Sequence, residues 1–230
     1  MEIILQTHKR YEIVDILRGL AVLLMIIFHF SYDLNLFNFI DVDFHQSLFW
    51  WAFPRVIVTL FLLPMGLAME LGFKGKINWK RVLRRFLKIG GWAILISIST
   101  YFAFPDKWIY FGTLHCIAVC SILATFFLGR KKLSIVTSLV ILVPLLFGFQ
   151  WPWIKLSHAS MDYIPALPWL GVVLLGMVLV HFRFHFLRVP NLPGKKLLLF
   201  FGQHSLVIYL VHQPILFALA KGAHFLLGRS

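Results

Sequence analysis

The chain is short of charge, shorter still of acid, and almost without cysteine, and each shortage excludes something. Only 13% of its 230 residues are charged while 60% are hydrophobic, against about a quarter charged and about half apolar in soluble domains. That excludes an ordinary soluble domain and, with a mean hydropathy of +0.85, points to a polytopic all-α membrane protein. The two cysteines, Cys116 and Cys120, stand one helical turn apart in an apolar run. They cannot build a disulfide framework and read as small core residues. No HExxH or comparable ligand spacing occurs among the ten histidines, so no metal is expected. No internal repeat is visible, which argues against the inverted-repeat architecture of many transporters.

Nine acidic residues face 22 basic ones, for a net charge of +13. A basic protein raises the question of nucleic acid, but here Lys and Arg sit in short linkers between apolar runs. That pattern orients a chain in a lipid bilayer, and no nucleic-acid partner is expected. At 26.7 kDa the chain has room for one bundle, so residues 1–230 read as a single domain. The N-terminus is polar through Tyr11, and no small-residue cleavage site follows the first apolar run, so no signal peptide is expected.

A spanning helix needs about 20 apolar residues. Seven candidates follow: Ile13–Phe30, Phe49–Leu71, Val82–Phe104, Tyr110–Leu128, Leu133–Phe149, Ile164–Val180 and Leu197–Phe217. The tail beyond Lys221 is expected at the interface. Basic linkers (Lys74 to Lys88, "GRKKL", and Arg183 to Lys196) alternate with acidic or weakly charged ones. By the positive-inside rule the N-terminus is cytoplasmic and the C-terminus outside, as an odd number of spans requires. Six tryptophans, Trp50, Trp51, Trp108, Trp151, Trp153 and Trp169, then cluster toward the outer face as an interfacial belt.

Against this background the stretch "DILRGLAVLLMIIFHFSYD" stands out, because ionisable residues inside an apolar span are costly and commonly functional. Asp15 and Arg18 fall near the cytoplasmic end. His29 lies eleven residues beyond Arg18, about 16 Å higher, and Asp33 four residues further, on a shared helix face. A carboxylate beside an imidazole can orient it for general-base work. His45 in the first outer loop, Arg55 opening the second span, His115 in the fourth, and His212 with Gln213 in the seventh fall at a similar outer level. His204 sits nearer the cytoplasm. Each histidine taken singly is also explained as a helix–helix hydrogen bond, and Arg18 as a snorkelling side chain. Several polar groups at one depth in different helices are not. His8, His158, His181, His185 and His224 read as solvated.

The segments "VDILRGLAVLLMIIFHFSYDL", "YFGTLHCIAV", "PALPWLGVVLLG" and "FFGQHSLVIYLVHQPIL" together resemble the bacterial branch of the heparan-alpha-glucosaminide N-acetyltransferase catalytic domain family, in order and over nearly the whole chain. The opening D-x-L-R-G…H is also similar to the acyltransferase-3 family. The resemblance implies a multi-pass enzyme of a bacterial inner membrane. It would take an acyl group, usually acetyl, from cytoplasmic acetyl-CoA to a sugar or glycan hydroxyl or amine on the far side. It implies two candidates for the catalytic histidine: His45, twenty-one residues before Gly66 of a Met-Gly pair, or His29, which ends the first-span motif. Clustered inner Lys and Arg suit the phosphates of CoA, with Arg18 at the inner mouth and Arg55 or His212 as oxyanion donors. The alternative class is a proton-coupled transporter using His29, Asp33, His115 and His212 as a relay. A third is a structural subunit whose polar residues only join helices. Oligomeric state is left open, a homodimer included.

Overall fold

The computed structural model describes residues 11–44, 46–73, 77–191 and 193–228. Among the described residues eight α-helices follow one another: α1 (Glu12–Leu36), α2 (Leu48–Phe73), α3 (Trp79–Ala103), α4 (Thr113–Leu123), α5 (Lys131–Leu146), α6 (Ala166–His181), α7 (Lys195–Gln203) and α8 (Ser205–Leu226). No strand forms among the described residues, where the one β-type pairing is an isolated bridge between Phe111 and Tyr163. The all-helical expectation is met. Among the described residues four helices, α1, α2, α3 and α8, are long and apolar enough to cross a membrane. Residues Thr113–Phe127 and α6 form shorter apolar helices.

The first three expected spans correspond to α1, α2 and α3. The seventh does not form one helix. Its apolar run is interrupted at His204, whose backbone (φ −106°, ψ 15°) leaves the helical region, and α8 resumes at Ser205 and continues to Leu226. The residues from Lys221, expected as an interfacial tail, continue α8 to Leu226.

The chain folds as two compact units, Met1–Pro54 with His185–Ser230, and Arg55–Phe184. The first unit is built on α1. Its first turn carries Glu12 and Asp15, the sign that the positive end of a helix favours. α7 lies against the N-terminal half of α1 with little between the backbones: a Cβ on Gly19 would run into the Leu198 carbonyl, and one on Gly202 into that of Asp15. Small residues at such crossings let membrane helices approach closely. Glu12 pairs with Lys195 at 2.8 Å, His29 packs on His212, Asp33 meets Gln213 and Phe37 meets Phe217. The contacts on α8 ascend together with those on α1, so α8 runs in the same direction as α1, whereas on α7 Leu198 faces Gly19 and Gly202 faces Asp15, the reverse order.

The second unit packs a core of Leu62, Met65, Met69, Cys116, Cys120, Val173, Leu174 and Met177. The cysteine sulfurs, 3.9 Å apart, are buried inside it. Gly66 and Gly176 allow α2 and α6 to touch: a Cβ on either would collide with the Val173 or Leu63 carbonyl. Ser138 Oγ donates to the Gly171 carbonyl at 2.9 Å, tying α5 to α6.

Candidate functional site

α1 is apolar from Gly19 to Phe28, nearly three turns, and α8 is largely apolar from Leu206 to Val211, so the two imidazoles meet between mostly hydrocarbon stretches. Their ring centroids lie 4.9 Å apart at an interplanar angle of 65°. His212 is 8% exposed. Its Nδ1 stands 2.7 Å from the Tyr209 carbonyl, and since a carbonyl only accepts, Nδ1 carries the proton. Nε2 is then the lone-pair nitrogen, and it is buried without a hydrogen-bond partner among the described residues. A buried acceptor without a partner is costly, and its lone pair can take a proton or accept from a donor group.

One turn further along α1, Asp33 is 1% exposed. Its oxygens accept from Gln213 Nε2 at 3.0 and 3.3 Å. The carboxylate expected to face His29 along the same helix is thus held by the neighbouring helix, and Gln213 Oε1 is itself buried and unpartnered among the described residues. Four of the expected residues, His29, Asp33, His212 and Gln213, therefore form one constellation.

Asp15 and Arg18 lie three to four turns nearer the N-terminal end of α1. Arg18 is drawn electrostatically to Asp15, and the Asp15 carbonyl faces Gly202. His204 is exposed at the α7–α8 break, where its Nδ1 donates to the Phe200 carbonyl at 2.9 Å. His45 and His8 lie outside the described residues.

Arg55 and His115 belong to the second unit. Arg55 is exposed. His115 is satisfied on both sides: Nδ1 accepts from the Gly112 N–H at 3.2 Å, so Nε2 carries the proton and donates to Ser97 Oγ at 3.2 Å, which donates to the Ile109 carbonyl at 2.6 Å. That network closes the start of α4 against α3 and is a complete structural account of this histidine.

Two carboxylates escaped the sequence reading. Glu70, 7% exposed, accepts the Gly129 N–H at 3.2 and 3.3 Å and lies 3.5 Å from His181 Nε2. A charge in the run "LAMELGF" was signal enough. Asp162, in the loop before α6, accepts the Thr113 N–H at 2.8 Å. Burial raises its carboxyl above the ordinary value, and the Thr113 hydrogen bonds pull part of that back. Several histidines expected in solvent are packed instead. His158 stacks on Trp108 at 5.2 Å, His185 meets Tyr11, and His224 Nδ1 donates to the Phe37 carbonyl at 3.2 Å. Each uses its ring as apolar surface, which solvated placement does not anticipate.

The constellation offers imidazole nitrogens that can accept a proton from a neutral hydroxyl or amine. Among the described residues no group of three or more His, Cys, Asp or Glu side chains is placed to hold a metal ion. The family model described as heparan-alpha-glucosaminide N-acetyltransferase, catalytic, matches residues 10–214. No curated protein and no solved structure matches the chain.

Proposed function

The chain belongs to the heparan-alpha-glucosaminide N-acetyltransferase catalytic family, and from that premise we propose that it moves an acyl group, acetyl first, from acyl-CoA to a hydroxyl or amine of a sugar or glycan. The long apolar helices and the family make it an integral membrane protein. We place it in a bacterial inner membrane with seven spans, the N-terminus cytoplasmic and the C-terminus outside. The parallel course of α1 and α8 is what a first and a seventh span require.

The observation that carries the mechanism is the contact of His29 with His212, the latter presenting a buried lone pair at Nε2. His29 takes the proton from the acceptor as its oxygen or nitrogen attacks the thioester carbonyl carbon. The tetrahedral intermediate expels the CoA thiolate, the carbon–sulfur bond breaks, and the proton returns from the imidazole to the sulfur. His212 stabilises the protonated partner. Because its Nδ1 hydrogen is committed to Tyr209, neutral His212 has no N–H left to donate to an oxyanion, so its support goes to the base. Asp33 and Gln213 hold the two helices in register beside the pair. Arg18 draws the donor's phosphates toward the inner end of α1.

The test is transfer of label from radiolabelled acetyl-CoA to a panel of sugars by the full chain in lipid nanodiscs. His29→Ala and His212→Ala are each expected to lower transfer by about 10²-fold or more. Unchanged transfer in His29→Ala with loss in His45→Ala would move the base to His45, and no transfer by the wild type with any sugar would remove the reading.

A further inference from the structure

The first turns of α3 carry positive charge that nothing nearby balances. Lys80, Arg84 and Lys88 follow one another at four-residue spacing and line one side of the helix. Like charges at that spacing repel, and no acidic residue stands between Glu70 and Asp106 to offset them. Arg81, by contrast, is used by the fold. Its Nη1 donates to the Gly72 carbonyl at 2.9 Å, and its guanidinium lies over the Phe73 ring, 4.9 Å from the centroid. Lys80, Arg84 and Lys88 are exposed, and among the described residues none of the three stands within ion-pair distance of a carboxylate.

An apolar stripe runs beside the cations. Trp79, Leu83 and Leu87, each one residue earlier, keep 54%, 55% and 61% of their surface exposed. The side of α3 away from the cations is the one that packs, with Val82 and Ala93 buried. The Trp79 ring meets exposed Phe126 at 5.9 Å between centroids, and exposed Arg130 and Lys132 follow shortly after it. Trp favours the boundary between hydrocarbon and headgroups. Lys80 and Arg84 stand within about 8 Å of Trp79 along the helix axis, the scale of one headgroup layer, and Lys88, a turn deeper, is long enough to snorkel back. Beyond it α3 continues with exposed Ile94, Leu95 and Ile98.

We propose that this surface is a docking site for an anionic phospholipid. Its phosphate is held by Lys80, Arg84 and Lys88, with Arg84 able to grip it through two N–H groups, and its acyl chains lie along Trp79, Leu83 and Leu87. A basic row beside an apolar one is the pattern that binds acidic membrane lipid. The pairing of the two rows favours this occupant over a soluble phosphate compound such as the CoA donor, whose anions suit the cations but whose polar body does not answer to three exposed apolar side chains. The site goes beyond the acyl-transfer reading and does not rest on it.

The test is native mass spectrometry of the full chain, delipidated in detergent and titrated with phosphatidylglycerol and with phosphatidylcholine of the same acyl chains, to give a Kd for each. Each cation near an anionic lipid surface is worth roughly fivefold in affinity, so wild type should hold phosphatidylglycerol more tightly by about tenfold or more. The variant Lys80→Gln/Arg84→Gln/Lys88→Gln should hold the two lipids alike, with phosphatidylcholine binding unchanged. Arg84→Gln alone should lose about fivefold for phosphatidylglycerol and nothing for phosphatidylcholine. Lys107→Gln/Lys155→Gln/Lys221→Gln removes the same charge from exposed positions elsewhere and should keep the preference. Equal affinities in wild type, a preference that survives in the α3 variants, or an equal loss in the control, which would make it an effect of net charge alone, overturns the site. Displacement of phosphatidylglycerol by free coenzyme A in wild type would give the cations to the donor and overturn it as well.

Discussion

The side-chain amide of Gln213 donates to both oxygens of Asp33, at 3.0 and 3.3 Å, across 180 residues of sequence. Asp33 is 1% exposed, so the bond compensates a carboxylate that has left water. Removing one partner of such a pair costs more than the bond is worth, because the other is left buried and unpaired. Gln213→Ala is therefore expected to destabilise the folded protein by about 1–3 kcal/mol, and Asp33→Asn, which keeps a polar partner for the amide, by less. Thermal unfolding in nanodiscs measures both, and equal shifts would mean the pair contributes nothing particular.

The contact of α1 with α7 depends on two missing side chains. A methyl at Gly19 or Gly202 meets a backbone carbonyl, of Leu198 or Asp15 respectively, and backbone cannot swing aside as a side chain can. Gly19→Ala and Gly202→Ala should each cost about 1–3 kcal/mol, the usual scale of overpacking. Gly222, in α8, has open space where its Cβ would stand, so Gly222→Ala is the matched control and should stay within about 0.5 kcal/mol. Ala is the better helix former, so equal loss of stability in all three, the uncrowded Gly222→Ala included, would contradict the close approach as the cause.

Asp162 links stability to pH. Burial raises its carboxyl, offset in part by hydrogen bonds from Thr113, so the folded state prefers the protonated acid. The contribution to stability is largest below the ordinary carboxylate range, near pH 4, and declines as pH rises through the raised value of the folded state. Asp162→Asn keeps an oxygen for the Thr113 N–H and carries no charge to bury. Its unfolding temperature should gain on wild type between about pH 4 and pH 7 and match it at lower pH. A gap that narrows as pH rises would contradict this.

Much of the fold could be read in advance because hydrophobic length is a strong signal in a bilayer. The bounds drifted where polarity misled. The expected first span stopped at Phe30, yet α1 runs to Leu36, carrying Ser31, Asp33 and Asn35 as helix; a partner on α8 makes the buried Asp33 tolerable, and hydropathy cannot see a partner. The break at His204 was hidden for the converse reason. "FFGQHSLVIYL" is apolar enough to average into one span, and what ends α7 is local backbone geometry, the crossing at Gly202 just before it.

The site was legible in its members and not in its pairings. His29, Asp33, His212 and Gln213 announced themselves as polar groups in apolar runs, but only the fold pairs the carboxylate with Gln213 and one imidazole with the other. His115 could have been read more fully: three residues after Gly112 at a helix start, its ring nitrogen is well placed to accept the exposed N–H there, and it does. Glu70 was a charge inside an apolar span and was passed over while histidines held attention.

We propose that His29 and His212 act as one catalytic unit. Its most direct test is the rate of acetyl transfer from acetyl-CoA by His29→Ala, His212→Ala and the double variant, each checked for folding. Residues that serve one step together lose little more when both are removed, so each single variant should fall by about 10²-fold or more and the double variant no further than the worse of the two. Losses that multiply, or a His212→Ala rate equal to wild type, would contradict it.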